Sequence, residues 1–380
     1  MEAFRKMMLR ILPPAGSKIM THTAGVETQH NLNWPGYNLH WLQSGTAALA
    51  YALLHKKAQH VNIAKPEVII PGYCCPDLIS AALFAGYTPV IVDIAENDPS
   101  YNLAELTSAL STNTLAVICI NFMGIKERLA EIRSALSTCL QVSIIEDNAQ
   151  WFPCSNNEAN FSSDYVCFSF GRGKAVSLLG GGMVAVKASL PVVEIPVKSA
   201  SSDSTRWRVK AKLINRLAHP NVYYWLSKLS FLKLGHTQYH ELTELAGFPF
   251  ENHAVFNVNL QAYQQRIALA EQVLDNCLGP VNGFKAMTSE RRGRLLRYPV
   301  VCESAEQKET LIKALKPYGA SKMYATALPL VDGVRTSMWH SESKLPNANS
   351  FASRFFTLPV HDSVQEKDLT AIANLIKKHS

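Results

Sequence analysis

Beyond residue 40 the hydrophobic positions fall into two alternating textures. Runs with apolar residues at helical spacing, beginning with AALAYALLHKKA after Ser44-Gly45-Thr46, are separated by short β-branched runs. Strands are expected at Glu67–Ile70, PVIVDI (89–94), Leu115–Phe122, Val142–Glu146, DYVCFSF (164–170) and GGMVAVK (181–187), with helices near 76–85, Leu103–Ser111 and Glu127–Leu140. Strands separated by helices of this length imply right-handed βαβ units, an α/β class and a mainly parallel sheet. Residues 1–40, with Pro13-Pro14, Gly16, Pro35 and Gly36, read as irregular. Residues 200–246 read as helical, and one long helix is expected over about 257–278. After Gly279-Pro280 the alternation restarts with strand RLLRYPVVC, helix AEQKETLIKALKPYG, strand FFTLPV and helix EKDLTAIANLIKKH. The expected plan is an N-terminal segment 1–40, a large domain 41–278 with a helical insert at about 198–246, and a small α/β domain 279–380.

Charge changes this picture in one place. The chain carries +7 overall, and the stretch from Lys198 to Gly235 holds eight basic residues against the single acid Asp203, which accounts for the whole excess. The remainder is balanced, which argues against a general nucleic-acid binder. The eight cysteines form no CxxC, and several lie in apolar runs where a free thiol behaves as a small hydrophobe. The N-terminal stretch lacks the apolar core of a signal peptide, and the uncharged apolar stretch Leu78–Val92 is short and broken by Gly86 and Pro89. A reduced, cytoplasmic protein is expected.

Three motifs could carry chemistry. Ser44-Gly45-Thr46 precedes a helix, whose free amides and dipole attract anions, although Ser44 also suits a plain N-cap. In IIEDNAQ (144–150) two carboxylates end an apolar strand, where open α/β sheets gather ligands; a buried acid there needs a cationic partner, while the alternative is a capping Asp at the turn. In SFGRGK (169–174) a lysine sits among glycines after an apolar strand, a setting for a nucleophilic amine or simply a lysine on a tight turn. Rival glycine-rich motifs fail on spacing: Phe168 and Ala175 break a P-loop, and Val176 breaks GxGxxG. His240-Glu241 lacks the second histidine of HExxH, no GxSxG occurs, and no metal site is expected.

As an ordered set, SGTAAL (44–49), VIIPGYCCPDLISAALFAGYTPVIVDI (68–94), IIEDNAQ, SFGRGK with GGGMV (180–184), and FFTLPVHDSV (355–364) resemble the DegT/DnrJ/EryC1/StrS family of sugar aminotransferases. The resemblance implies the fold-type I architecture, with a mainly parallel seven-stranded sheet in the large domain, and pyridoxal 5′-phosphate as cofactor. It implies that Lys174 holds the cofactor as an internal Schiff base and shuttles the substrate proton. Asp147 would pair with the pyridinium nitrogen, and Gln150 with the ring 3′ oxygen. The amides of Gly45, Thr46 and Ala47 and the Ser169 hydroxyl would hold the phosphate. A second subunit would complete the phosphate site through Asn257 or Asn259, so a homodimer is expected. The implied reaction moves an amino group from an amino acid, glutamate by resemblance, to a keto-sugar, nucleotide-linked, in polysaccharide or glycoconjugate synthesis. Two other readings stay open: a pyridoxal-phosphate enzyme for a non-sugar ketone or amino acid, and a non-catalytic regulatory or scaffold protein.

Some positions depart from the family pattern. Cys75 stands where many members stack an aromatic residue on the cofactor ring, and the usual GEGG-like loop reads Gly180-Gly181-Gly182. Lys174, rather than histidine, favours amino transfer over dehydration. In the basic segment 198–235, aromatic and aliphatic residues interleave with Lys and Arg. Three roles fit it: contact with the inner face of a membrane, binding of a polyanionic substrate, and a hairpin packed on its own dimer.

Overall fold

The computed structural model describes residues 10–15, 17–22, 32–200, 203–229, 231, 234–249, 253–278 and 294–379. The expected break at Gly279-Pro280 and the first nine residues lie outside these.

Seven strands form one sheet: β1 (Tyr37–Leu42), β2 (Glu67–Pro71), β3 (Thr88–Val92), β4 (Thr114–Ile120), β5 (Ser143–Asp147), β6 (Tyr165–Ser169) and β7 (Gly182–Lys187). Their order is β1-β7-β6-β5-β4-β2-β3, and β7 runs antiparallel to both of its neighbours while β2 to β6 pair in parallel. The central strands are buried along nearly their whole length, as β-branched runs covered on both faces must be. Helices α1 (Gly45–Ala58), α2 (Asp77–Phe84), α3 (Leu103–Ser108) and α4 (Leu129–Ala135) connect them. A smaller antiparallel pair, β8 (Arg297–Val301) and β9 (Phe355–Pro359), packs with α9 (Ala305–Leu315), α10 (Pro346–Arg354) and α11 (Glu366–His379).

Three expectations change. Residues 37–40, read as irregular, begin edge strand β1, which adds to β7 in register Tyr37↔Lys187 to Leu42↔Gly182. The long helix over 257–278 is two, α7 (His253–Gln265) and α8 (Leu269–Leu278). The chain breaks where the Arg266 guanidinium turns inward, pairing with Glu271 at 2.7 Å and donating to Leu295 O at 3.2 Å. Among the described residues of 200–246 the α-helices are α5 (Ser204–Leu217) and α6 (Pro220–Leu226), separated where Pro220 opens a new helix.

The two sheets are tied by polar groups as well as by apolar packing. Asp93, fully buried after β3, accepts the amides of Asn347 and Ala348 at 2.8 Å each and so caps α10 from across the domain junction. Asp93→Ala removes this cap and leaves buried amides without acceptors. The expected loss is about 2 kcal/mol or more, read as a lower urea midpoint. On the other side, residues 10–15 and 17–20 bond to elements around the small sheet and to α7. Arg10 pairs with Asp368 at 2.6 Å, Leu12 N donates to Pro317 O at 3.0 Å, and Met20 N donates to Asn259 Oδ1 at 2.8 Å.

Candidate active site

The parallel strands end on one edge of the sheet, and the expected chemistry collects there. Seven of the ten candidate residues, Gly45, Thr46, Cys75, Asp147, Gln150, Ser169 and Lys174, line one cavity. Phe122, Phe168 and Leu49 supply apolar wall.

Each polar group arrives by a local device. Ser44 caps α1 in an extended conformation and accepts Ala47 N at 3.0 Å. The Ala47 amide is therefore spent inside the fold, and Ala47 does not line the cavity. Gly45 and Thr46, the first two residues of the helix, line it. Gly45 must be glycine: a Cβ there would stand 2.5 Å from Ser169 Cβ and 2.8 Å from its hydroxyl oxygen. Gly45→Ala is expected to push Ser169 aside and weaken cofactor binding at least tenfold in an equilibrium titration, with the fold retained.

Asp147 ends β5 and is buried. One carboxylate oxygen accepts Ala149 N at 2.8 Å; the other accepts nothing from the described residues. Burial raises its pKa, against the pull of that amide and of the Lys174 charge. A buried carboxylate with one vacant acceptor is the partner a protonated ring nitrogen needs. Its neighbour Glu146 points away. Its oxygens accept Asn121 Nδ2 at 2.7 Å, Asn148 Nδ2 at 3.2 Å and the Ser163 hydroxyl at 3.0 Å, a satisfied structural network.

Gln150 is oriented by Met123, whose φ of 60° turns its amide to donate to Gln150 Oε1 at 2.7 Å. This leaves the side-chain NH2, which donates once to Tyr324 Oη at 3.3 Å, directed at the cavity. Gly173, at φ 75°, makes the turn that presents Lys174, and Lys174 Nζ has no partner among the described residues. Cys75 faces the same space, with its thiol pushed up to about 12 by burial, so it is a neutral wall. The vacant oxygen of Asp147, the start of α1 and the unpaired lysine match what pyridoxal phosphate requires.

The two asparagines lie elsewhere. Asn259 spends its amide on Met20 N, Met20 O and Val255 O. Asn257 lines a separate cavity with Trp34, Pro153 and Gln264. Tyr324 is the wall residue that sequence reading missed. It lies in an irregular stretch after Met323 at φ 51°, and no strand or helix pattern marks it. A second cavity of about 310 Å³ adjoins through Lys174 and is lined by Ser17, Tyr263, Arg266, Leu296 and His361.

The DegT/DnrJ/EryC1/StrS aminotransferase family model matches residues 41–193 and 256–377. The gap between these stretches contains α5 and α6. A curated relative, the UDP-N-acetyl-3-dehydro-alpha-D-glucosamine 3-aminotransferase of Acidithiobacillus ferrooxidans, is 31% identical over 147 residues, which span 38% of this chain and 38% of that protein. Among solved structures, Spr1654 of Streptococcus pneumoniae, assigned as a sugar aminotransferase and crystallised in its PMP form, superposes with a TM-score of 0.69 at 18% identity over 97% of both chains. A DegT DnrJ EryC1 StrS aminotransferase from Brucella abortus gives 0.63 at 18% identity, over 93% of this chain and 86% of that one. These two likenesses concern the fold, which is the fold-type I architecture. With the family model matched on both sides of the α5–α6 segment, the chain belongs to the DegT/DnrJ/EryC1/StrS aminotransferase family.

Proposed function

We propose that this protein is a pyridoxal-phosphate-dependent aminotransferase that moves an amino group from an amino acid, glutamate by family resemblance, to a nucleotide-linked keto-sugar. The observation that carries the reading is one cavity that holds an unpaired lysine, a half-paired buried aspartate and the open N-terminus of α1. The sugar side is supported by the activity for which the Acidithiobacillus relative is named, over the matched stretch.

What pyridoxal phosphate supplies when bound is an electron-withdrawing ring and an aldehyde that carries the amino group between substrates. The chain does the rest. Gly45 and Thr46 amides, with the Ser169 hydroxyl, bind the phosphate. Asp147 holds a proton on the ring nitrogen, and Gln150 orients the ring hydroxyl. Lys174 Nζ, as free base, takes and returns the proton of the reacting carbon. Phe122, Phe168 and Tyr324 exclude water.

An absorbance spectrum of the purified protein tests this. A visible band that borohydride bleaches, with the label mapped to the Lys174 peptide, is expected. A colourless protein unaffected by Lys174→Ala would favour a scaffold role. A donor and acceptor screen separates sugar from non-sugar substrates, because the reading requires both half-reactions. A homodimer is part of the proposal, with Asn257 rather than the internally bonded Asn259 as the contact to the other subunit, and sedimentation velocity measures the dimer.

We also infer a cytoplasmic protein that touches an anionic membrane surface through 198–235. No helix among the described residues is long and apolar enough to cross a membrane. On α5, Trp207 and Ala211 face inward, with Trp207 Nε1 donating to Leu178 O at 2.8 Å. The outer face exposes Val209 and Leu213 between Arg206, Lys210, Lys212 and Arg216, and none of these cations meets a carboxylate among the described residues. Beyond it Trp225 and Phe231 are 63% and 75% exposed. Apolar side chains among unpaired cations suit anionic headgroups. Co-sedimentation with vesicles containing phosphatidylglycerol, weakened by salt and absent with phosphatidylcholine alone, is the expected result. No binding at low salt removes this reading.

A further inference from the structure

Tyr324 reaches the lysine cavity from far along the chain and is pinned there by its neighbours. The Tyr73 hydroxyl donates to Tyr324 O at 3.0 Å. The Tyr324 ring packs against Tyr73 and Phe122, with centroids 5.6 Å and 6.2 Å away. The residue is buried and lines the cavity.

Its hydroxyl has one partner among the described residues, Gln150 Nε2, which donates to Tyr324 Oη at 3.3 Å. The direction of this bond is fixed from the other side. Met123 N–H can only donate, so Gln150 turns Oε1 to it, at 2.7 Å, and Nε2 to the tyrosine. Tyr324 Oη is then the acceptor, and its own proton is free for another partner. Burial raises the pKa of the phenol well above its ordinary value, so that proton stays on. The second hydrogen of the Gln150 NH2 has no acceptor among the described residues either, and the vacant Asp147 oxygen bonds to neither group. Two adjacent donors thus border one cavity. A buried donor without an acceptor costs stability, which an oxygen bound between the two would restore.

We propose that Tyr324 is a second donor to the ring 3′ oxygen of pyridoxal phosphate, beside Gln150. This rests on the cofactor reading and on the role given to Gln150. While the nitrogen that joins Lys174 to the cofactor is protonated, its N–H shares the negative charge of that oxygen. When the proton leaves, the full charge stays on the oxygen, and a further donor stabilises it. Tyr324 therefore makes the Lys174–cofactor imine more acidic.

The test is a pH titration of the visible band of the loaded protein, whose colour follows imine protonation. In Tyr324→Phe the titration midpoint is expected to rise by about one pH unit, a tenfold change in the acid dissociation constant. Gln150→Met should move it in the same direction, and the double variant further. Tyr324→Phe lacks only the oxygen, so its urea midpoint without cofactor should match the wild type. A purely structural hydroxyl would lower the urea midpoint and leave the titration in place. The assignment is overturned if the titration midpoint of Tyr324→Phe stays or falls, if the wild-type band stays protonated up to the pH at which the protein unfolds, or if Tyr324→Phe without cofactor unfolds well below the wild type. A wild type with no band that borohydride bleaches sinks the cofactor reading, and this assignment with it.

Discussion

Replacing Lys174 by alanine is expected to lower amino transfer by about 10⁴-fold or more, because one amine both holds the cofactor and moves the proton. The turn that presents the lysine depends on Gly173 and on the hydrogen bond from Lys174 N to Gly171 O, at 3.3 Å, none of which needs the side chain. The variant should therefore fold with an unchanged circular dichroism spectrum and unfolding midpoint. It should bind pyridoxal phosphate reversibly, through the α1 amides and Asp147, and lose it on dialysis. Borohydride should then label nothing. A variant that retained more than a hundredth of the wild-type rate would remove Lys174 from the proton transfer.

The second large effect belongs to Asp147. Asp147→Asn keeps the shape and the contact to Ala149 N but cannot hold a proton on the ring nitrogen, so the electron sink weakens and kcat is expected to fall about 10²–10⁴-fold. The same change should act oppositely on the cofactor-free protein. Burial raises the pKa of Asp147 above its ordinary value. A carboxyl with a raised folded-state pKa contributes stability that is complete below the unfolded pKa and is lost as pH rises through the folded one. The cofactor-free wild type should thus lose stability across that window, and Asp147→Asn should lose less. Urea unfolding at several pH values, set beside cofactor titrations, measures both halves. If the variant is as active as the wild type, Asp147 does not partner the ring.

The paired carboxylates show how far the sequence was legible. IIEDNAQ announces that Glu146 and Asp147 leave a strand on opposite faces, because side chains alternate along a strand. It does not say which face holds the cavity. The family resemblance chose Asp147, and the structure places Asp147 in the cavity wall while Glu146 closes a network with Asn121, Asn148 and Ser163. SGT before an alanine-rich helix was legible as a cap first and as an anion site second, and the structure shows the cap: Ser44 Oγ takes the Ala47 amide, while Gly45 and Thr46 line the cavity.

Other features left no local trace. Strand β1 exists because β7 offers it an open edge, which residues 37–42 cannot reveal by their own pattern. The interruption between α7 and α8 follows from Arg266 reaching Glu271 and Leu295, a partnership formed across 29 residues in its longer arm.

By itself the sequence determined the alternation that makes a parallel sheet, the lysine on its glycine turn and the acid at a strand end, since each depends on spacing of a few residues. The tertiary structure alone decided which acid faces the lysine, which amide the Ser44 cap takes, and that Tyr324, far along the chain, lines the same cavity. Those outcomes depend on contacts between segments far apart in the chain, whose geometry is set only when the two sheets pack together.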